Sequence, residues 1–358
     1  MPLLKNYIIL ITLAVGIVPA ACNKKTDTPR DSPYILSAPA NMPAIPPFPD
    51  NPLTKEGVEL GRLLFYDKRL SGNNTISCAT CHRQDIAFTD GVALTNKGAS
   101  GNTLHRTAPS LINLSWTING LFWDGGAKNP ESQVVAPLTN ADEMDQNVGE
   151  LLAELQAVPD YVQRFRLAFN DTIKSGYILR ALAQFERTMI SAGSRYDKYK
   201  RNEAGGQLTS QELQGLSIVQ QKCQGCHAGE LFTDNGYHNN GLDASFLNDT
   251  LLGLFQGRAR ITYNAADLGK YKTPTLRNVM LTAPYMHDGR FATIQDALTH
   301  YAQHVKASAT LDPLAMQQGG MPGIPLTATD KQAIIAFLHT LTDQDFITSK
   351  QFSDPFKQ

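Results

Sequence analysis

The chain has 358 residues, with 32 Lys and Arg against 33 Asp and Glu and a formal charge of −1. That balance gives no basic surface of the kind that binds nucleic acid, and the length allows two domains.

Lys5 precedes the apolar stretch Tyr7 to Val18, then Pro19-Ala20-Ala21-Cys22. The apolar run is too short for a membrane span and ends in small residues, so 1–22 reads as an export signal. Cysteine at the cleavage point predicts lipidation of Cys22, anchoring an otherwise soluble periplasmic protein to a membrane surface. Pro19 stands where bacterial lipoboxes usually carry leucine, and plain export is the alternative. Without the signal, 31 basic residues face 33 acidic ones.

Residues 23–50, polar and then proline-rich, read as a tether with no core of its own. Asn51-Pro52 opens a helical pattern through Leu53, Val58, Leu60 and Leu63-Leu64-Phe65. A Gly- and Thr-rich loop covers Asp90 to Thr107. Helical segments follow at Glu150 to Val158 and Ile178 to Ile190, and Arg201 to Thr209 reads as a linker. Further helices cover Leu213 to Val219 and Asp330 to Leu341. Strand patterning is scarce, so the class is mainly α.

Four of the five cysteines lie in Cys78-Ala-Thr-Cys81-His82 and Cys223-Gln-Gly-Cys226-His227. Cys-x-x-Cys-His is the attachment signal of c-type haem: two thiols bond the haem vinyls and the histidine ligates iron. A redox dithiol or half a zinc site would not require histidine after both pairs. An internal repeat surrounds the motifs. Phe88-Thr89-Asp90 matches Phe232-Thr233-Asp234, and Pro109-Ser110-Leu111-Ile112-Asn113 matches Pro274-Thr275-Leu276-Arg277-Asn278. Phe122-Trp123-Asp124-Gly125-Gly126 matches Met286-His287-Asp288-Gly289-Arg290. The expected fold is therefore two cytochrome c-like domains in tandem, 51–200 and 201–345, with 346–358 as a tail and one covalent haem c in each domain.

The halves differ at one matched position. Thirteen residues past Asp288 stands Tyr301, and thirteen past Asp124 stands Pro137. Tyrosine can ligate iron and proline cannot, so the second iron would be closed and the first open. A packed aromatic ring and a turn proline are the other reading of the same pair.

The exported chain resembles the bacterial dihaem cytochrome c peroxidase family, including its MauG-type branch. The resemblance rests on Leu60-Gly61-Arg62-Leu63-Leu64-Phe65-Tyr66-Asp67, the first haem motif, Phe122-Trp123-Asp124-Gly125, Leu276-Arg277-Asn278, Thr282 to Gly289 and Phe337-Leu338. It implies that the first haem meets peroxide while the second passes electrons from a small donor such as a cytochrome c or cupredoxin-like protein. It implies that Trp123 lies between the haems, although composition alone makes it ordinary core. Glu143 matches the family's distal glutamate, which moves a proton between peroxide oxygens. Unmatched, it would be a solvated surface charge. Gln133 matches a distal glutamine of the MauG-type branch. His82 would ligate haem 1 iron, and His227 with Tyr301 haem 2 iron.

Many family members carry a capping histidine in the loop after the first motif. Val92 to Gly101 has none, and His105 comes late. Tyr301 stands where the peroxidases often have methionine and the MauG-type branch has tyrosine. The family also binds calcium through carbonyls matching Thr282 and Pro284 plus an asparagine, replaced here by Thr107. His238, His300, His304 and His339 read as surface or core residues, with His300 the runner-up ligand for haem 2. His287 reads as structural or part of an electron path, and Met286 as packing. The expected activity is reduction of hydrogen peroxide by a protein that can dimerise. Long-range oxidation of a partner protein's side chain and plain electron transfer are the alternatives.

Overall fold

The computed structural model describes residues 32–94, 96–246 and 254–357; the expected export signal, Cys22 and the start of the expected tether lie outside them. In chain order the α-helices among these residues are α1 Lys55–Tyr66, α2 Cys78–Cys81, α3 Pro130–Thr139, α4 Val148–Gln156, α5 Pro159–Phe169, α6 Ser175–Arg187, α7 Arg195–Lys200, α8 Ser210–Lys222, α9 Ala259–Thr262, α10 Ile294–Thr299, α11 Ala328–His339 and α12 Gln344–Thr348. Strands β1 Tyr237–His238 and β2 Tyr271–Lys272 form one antiparallel pair. The protein is mainly helical, as the patterning predicts.

Helix starts follow local chemistry. The Thr54 hydroxyl accepts from the Gly57 amide to cap α1, and Thr209 and Thr327 cap α8 and α11 in the same way. The repeat extends into how these helices cross. α1 lies on α6 so closely that a Cβ on Gly61 would sit 1.9 Å from the Ala181 carbonyl oxygen. α8 lies on α11 with Gly215 against the Ala333 carbonyl at the same 1.9 Å. Only glycine admits such an approach.

Buried apolar residues form two main clusters. One runs from Leu53 to Met189 and takes in Phe346 and Phe352; the other runs from Tyr196 to Leu341. The stretch expected to be a free tether is packed instead, with Tyr34, Leu36 and Phe48 against the first cluster. Met42 is buried with Trp116 and Ala192, and the Trp116 indole donates to the Pro43 and Ala44 carbonyls. The expected tail likewise returns to the first cluster, where Phe346 and Phe352 pack on Phe88. Aromatic and methionine side chains drive both ends inward, because leaving them exposed forgoes burial of large apolar area.

Arg277 and Asp197 anchor the chain where it enters the second cluster. Both side chains are fully buried, and the guanidinium makes two 2.9 Å bonds to the carboxylate. Arg277 also donates to the Glu230 carbonyl, while Asn41 and Ser194 donate to Asp197. Asp197→Ala would leave a buried guanidinium without its counter-charge. The expected loss is about 3–5 kcal/mol, measured as a lowered denaturation midpoint. A midpoint equal to wild type would contradict the role given to this pair.

Candidate haem cavities and their walls

The first haem motif opens on a cavity of about 440 Å³. Cys78, Cys81 and His82 line it from α2 and its C-terminal end, and Gln133, Pro137 and Glu143 line it from α3 and the turn that follows. The histidine is oriented by the backbone. Phe88 adopts φ +60° and turns its carbonyl to 2.8 Å from His82 Nδ1. A carbonyl only accepts, so Nδ1 carries the proton and Nε2 keeps its lone pair for a metal. The second half repeats the device: Phe232, φ +51°, accepts from His227 Nδ1 at 3.2 Å. Burial lowers the pKa of both imidazoles, which favours the neutral form a ligand needs. Both motifs therefore fit haem c.

Gln133 and Pro137 stand four residues apart on α3 and share one helix face. Pro137 has no N–H to complete the helical bond to the Gln133 carbonyl. The chain then turns through Asn140, whose amide donates to Glu143 Oε1 at 2.9 Å. Burial raises the Glu143 pKa, the Asn140 bond opposes this, and the Asp142 charge reinforces it. The loop after the first motif presses on the same turn: Ala99 N donates to the Glu143 carbonyl. His105 also lines the cavity but is exposed.

Trp123 borders this cavity and a second of about 180 Å³ between the two apolar clusters. Its indole donates to the Thr107 carbonyl at 2.9 Å, which fixes the ring in the shared wall. Gln133 also reaches both cavities.

In the second half, Tyr301 lies in a π-helical turn, His300–His304, that continues α10. Such turns recur at functional positions because they reorient one side chain within a helix. Asn240 Nδ2 donates to Tyr301 Oη at 3.2 Å and lies 3.4 Å from Met286 Sδ. Burial pushes the Tyr301 phenol up to about 12; the Asn240 bond opposes this, and the nearby Cys226 and Cys223 add to it. The sequence reading missed Asn240, because a single amide in Asn239-Asn240-Gly241 carries no motif.

The remaining histidines are accounted for without iron. His300 Nε2 meets the Asn240 carbonyl at 2.9 Å, and His238 lies between Asp312 and Asp234 at 2.6 and 2.8 Å. His304 and His339 are exposed. His287 is buried and stacked on Tyr271 at 3.7 Å; burial lowers it to about 4, so the ring is neutral.

Thr107, Thr282 and Pro284 share the wall of the smaller cavity, which carries no carboxylate among the described residues. The Thr107 hydroxyl already lies 3.3 Å from the Met286 and His287 carbonyls. Calcium takes six to eight oxygens. The described protein groups supply only part of such a shell, and water is among the ligands that calcium accepts.

The di-haem cytochrome c peroxidase family matches this chain over residues 55–205. The chain is 32% identical over 334 residues to the methylamine utilization protein MauG of Methylorubrum extorquens, covering 92% of this chain and 90% of that protein. It is 33% identical over 261 residues to the cytochrome c551 peroxidase of Nitrosomonas europaea, covering 72% and 76%. A crystal structure of a MauG-like protein associated with microbial copper homeostasis superposes with TM-score 0.81 at 35% identity, over 90% of this chain and 100% of that one.

Proposed function

The chain belongs to the family of di-haem cytochrome c peroxidases and MauG proteins, and from that premise we propose that it reduces hydrogen peroxide to water in the His82 cavity. Two electrons and two protons convert one peroxide to two waters. The electrons come singly from a small redox protein through the second haem site. Haem c held by Cys78, Cys81 and His82 would supply an iron open to peroxide, and haem c held by Cys223, Cys226, His227 and Tyr301 an electron relay.

The observation that carries this reading is the asymmetry of matched positions. Pro137 offers no ligand and shares its wall with Gln133 and Glu143, whereas Tyr301 presents an oxygen already oriented by Asn240. Glu143 takes a proton from one peroxide oxygen and returns it to the other, which makes the departing oxygen a better leaving group. Asn140 holds the carboxylate in place for this. Gln133 orients peroxide by hydrogen bonding, and Trp123 carries charge across the wall between the cavities.

Tyr301 and the lack of histidine in Val92–Gly101 favour a second reading, in which the same site withdraws electrons from a partner protein's side chain. Slow cytochrome c oxidation together with peroxide-dependent modification of a bound partner would select it. Export to the periplasm with lipid on Cys22 accords with both readings. No helix among the described residues is long and apolar enough to cross a membrane.

Steady-state peroxide turnover with reduced cytochrome c tests the first reading, and a fully haem-loaded protein without turnover would sink it. Glu143→Gln should lower kcat/KM for peroxide by about 10²–10⁴-fold with haem content unchanged. Because the base works ionised and burial raises its pKa, wild-type activity should fall on acidification from a point above the ordinary carboxylate range. The variant should lack that limb of the pH profile. In Tyr301→Phe, the ferric spectrum should lose the low-spin tyrosinate signature of one haem and keep the other unchanged. An unaltered spectrum would remove Tyr301 from the ligand set.

A further inference from the structure

α6 brings to the first cavity a carboxyl that the peroxide chemistry above leaves idle. Glu186 is only 4% exposed and lines the 440 Å³ cavity with Cys78 and Leu182. Its Oε2 is buried with no hydrogen-bond partner. The adjacent Arg187 guanidinium turns instead to Glu131 on α3, with bonds of 2.5 and 2.9 Å. A buried oxygen left without a partner is costly to keep.

The repeat shows that packing does not demand a carboxyl at this position. The crossing of Gly61 on Ala181 corresponds to that of Gly215 on Ala333, and each glycine also meets a phenylalanine Cβ, Phe185 and Phe337. The residue after Phe337 is Leu338, 2% exposed and part of the second apolar cluster. One half therefore fills the position with leucine, and the other buries a carboxyl facing the haem cavity.

We propose that Glu186 is the proton site that balances charge at the first haem. With haem held by Cys78, Cys81 and His82, the Glu186 carboxylate would bind one proton drawn from solvent as the haem is reduced and release it on reoxidation. The proposal rests on the reading that haem is attached at Cys78, Cys81 and His82. Arg187 on its own helix, Glu131 on α3 and Cys78 on α2 act on Glu186, the last uncharged once it is a thioether, and His82, His105, Arg106, Asp124, Asp142, Glu143 and Arg260 line the same cavity. Burial pushes the carboxyl up to about 8, with Arg187 opposing and Glu131 reinforcing, which brings proton exchange near neutral pH.

The test is a spectroelectrochemical titration of the holoprotein, after its absorbance has established haem at both motifs. A first motif without haem would overturn the proposal and the reading beneath it together. With haem bound, the potential of the first haem should fall as pH rises through the range where Glu186 titrates, by up to a factor of ten in equilibrium constant per pH unit, about 59 mV. Glu186→Gln should be flat over that range, and so should Glu186→Leu, which installs the residue of the other half. The infrared difference spectrum on reduction should show a protonated-carboxyl stretch that both variants lack. A flat wild type, or a Gln variant that keeps the slope, would overturn the proposal. A haem-loaded wild type with the slope but no peroxide turnover would support Glu186 and sink the peroxidase reading alone.

Discussion

The fully buried pair of Arg277 and Asp197 locks the start of the second half onto that half's own core. Removing two charges from water is expensive, and the attraction between them offsets this only when every donor and acceptor is met. Here that condition holds. The carboxylate is gripped by the guanidinium, Asn41 and Ser194, and the guanidinium also reaches the Glu230 carbonyl. The matched residue of the first half is Ile112, so the charge belongs to one half only and cannot serve a need common to both. Asp197 lies on α7 beside Tyr196, the first residue of the second cluster, and Arg277 lies within the same stretch. Arg277 also donates to the Ser191 carbonyl, which Asn113 of the first half meets as well, and one indole, Trp123, borders both cavities.

Around that pair the backbone is nearly duplicated. Ser110 donates to the Ala87 carbonyl and Thr275 to the Leu231 carbonyl, both at 2.5 Å. Thr89 and Thr233 donate to the Ala108 and Thr273 carbonyls. Asn113 and Asn278, both in the left-handed region, pin the segments after α6 and α11. These bonds set the carbonyls of Phe88 and Phe232 against the two motif histidines. Specialisation then needs only side chains: Pro137 against Tyr301, Glu186 against Leu338, Ile112 against Arg277.

Much of this was legible in the sequence, because the repeat is carried by short contiguous stretches. Glu143 and Gln133 do meet Cys78, Cys81 and His82 in one cavity, and Trp123 does stand in a wall between two cavities. α3 was missed because Pro130 and Pro137 break the usual helical signal. Pro130 sits in the first turn, where no amide is needed, and Pro137 falls near the end. The fates of 33–50 and of Phe346 and Phe352 were illegible for a different reason. Proline-rich or short terminal sequence does not state which distant surface will cover its few apolar side chains. Nor can periodicity register a single π-turn, and so the setting of Tyr301 emerged only in three dimensions.

The return of Phe346 and Phe352 to the first cluster bears on the order in which the chain can close. Every buried residue of the second cluster lies between Tyr196 and Leu341, so that core needs nothing from outside its own stretch. The first cluster begins at Leu53 yet finishes with aromatic rings almost 300 positions later. Contacts of such long sequence separation form late, since loop closure must precede them. During synthesis from the N-terminus the half that leads in sequence therefore completes last, and its core stays unsealed until Phe352 has emerged.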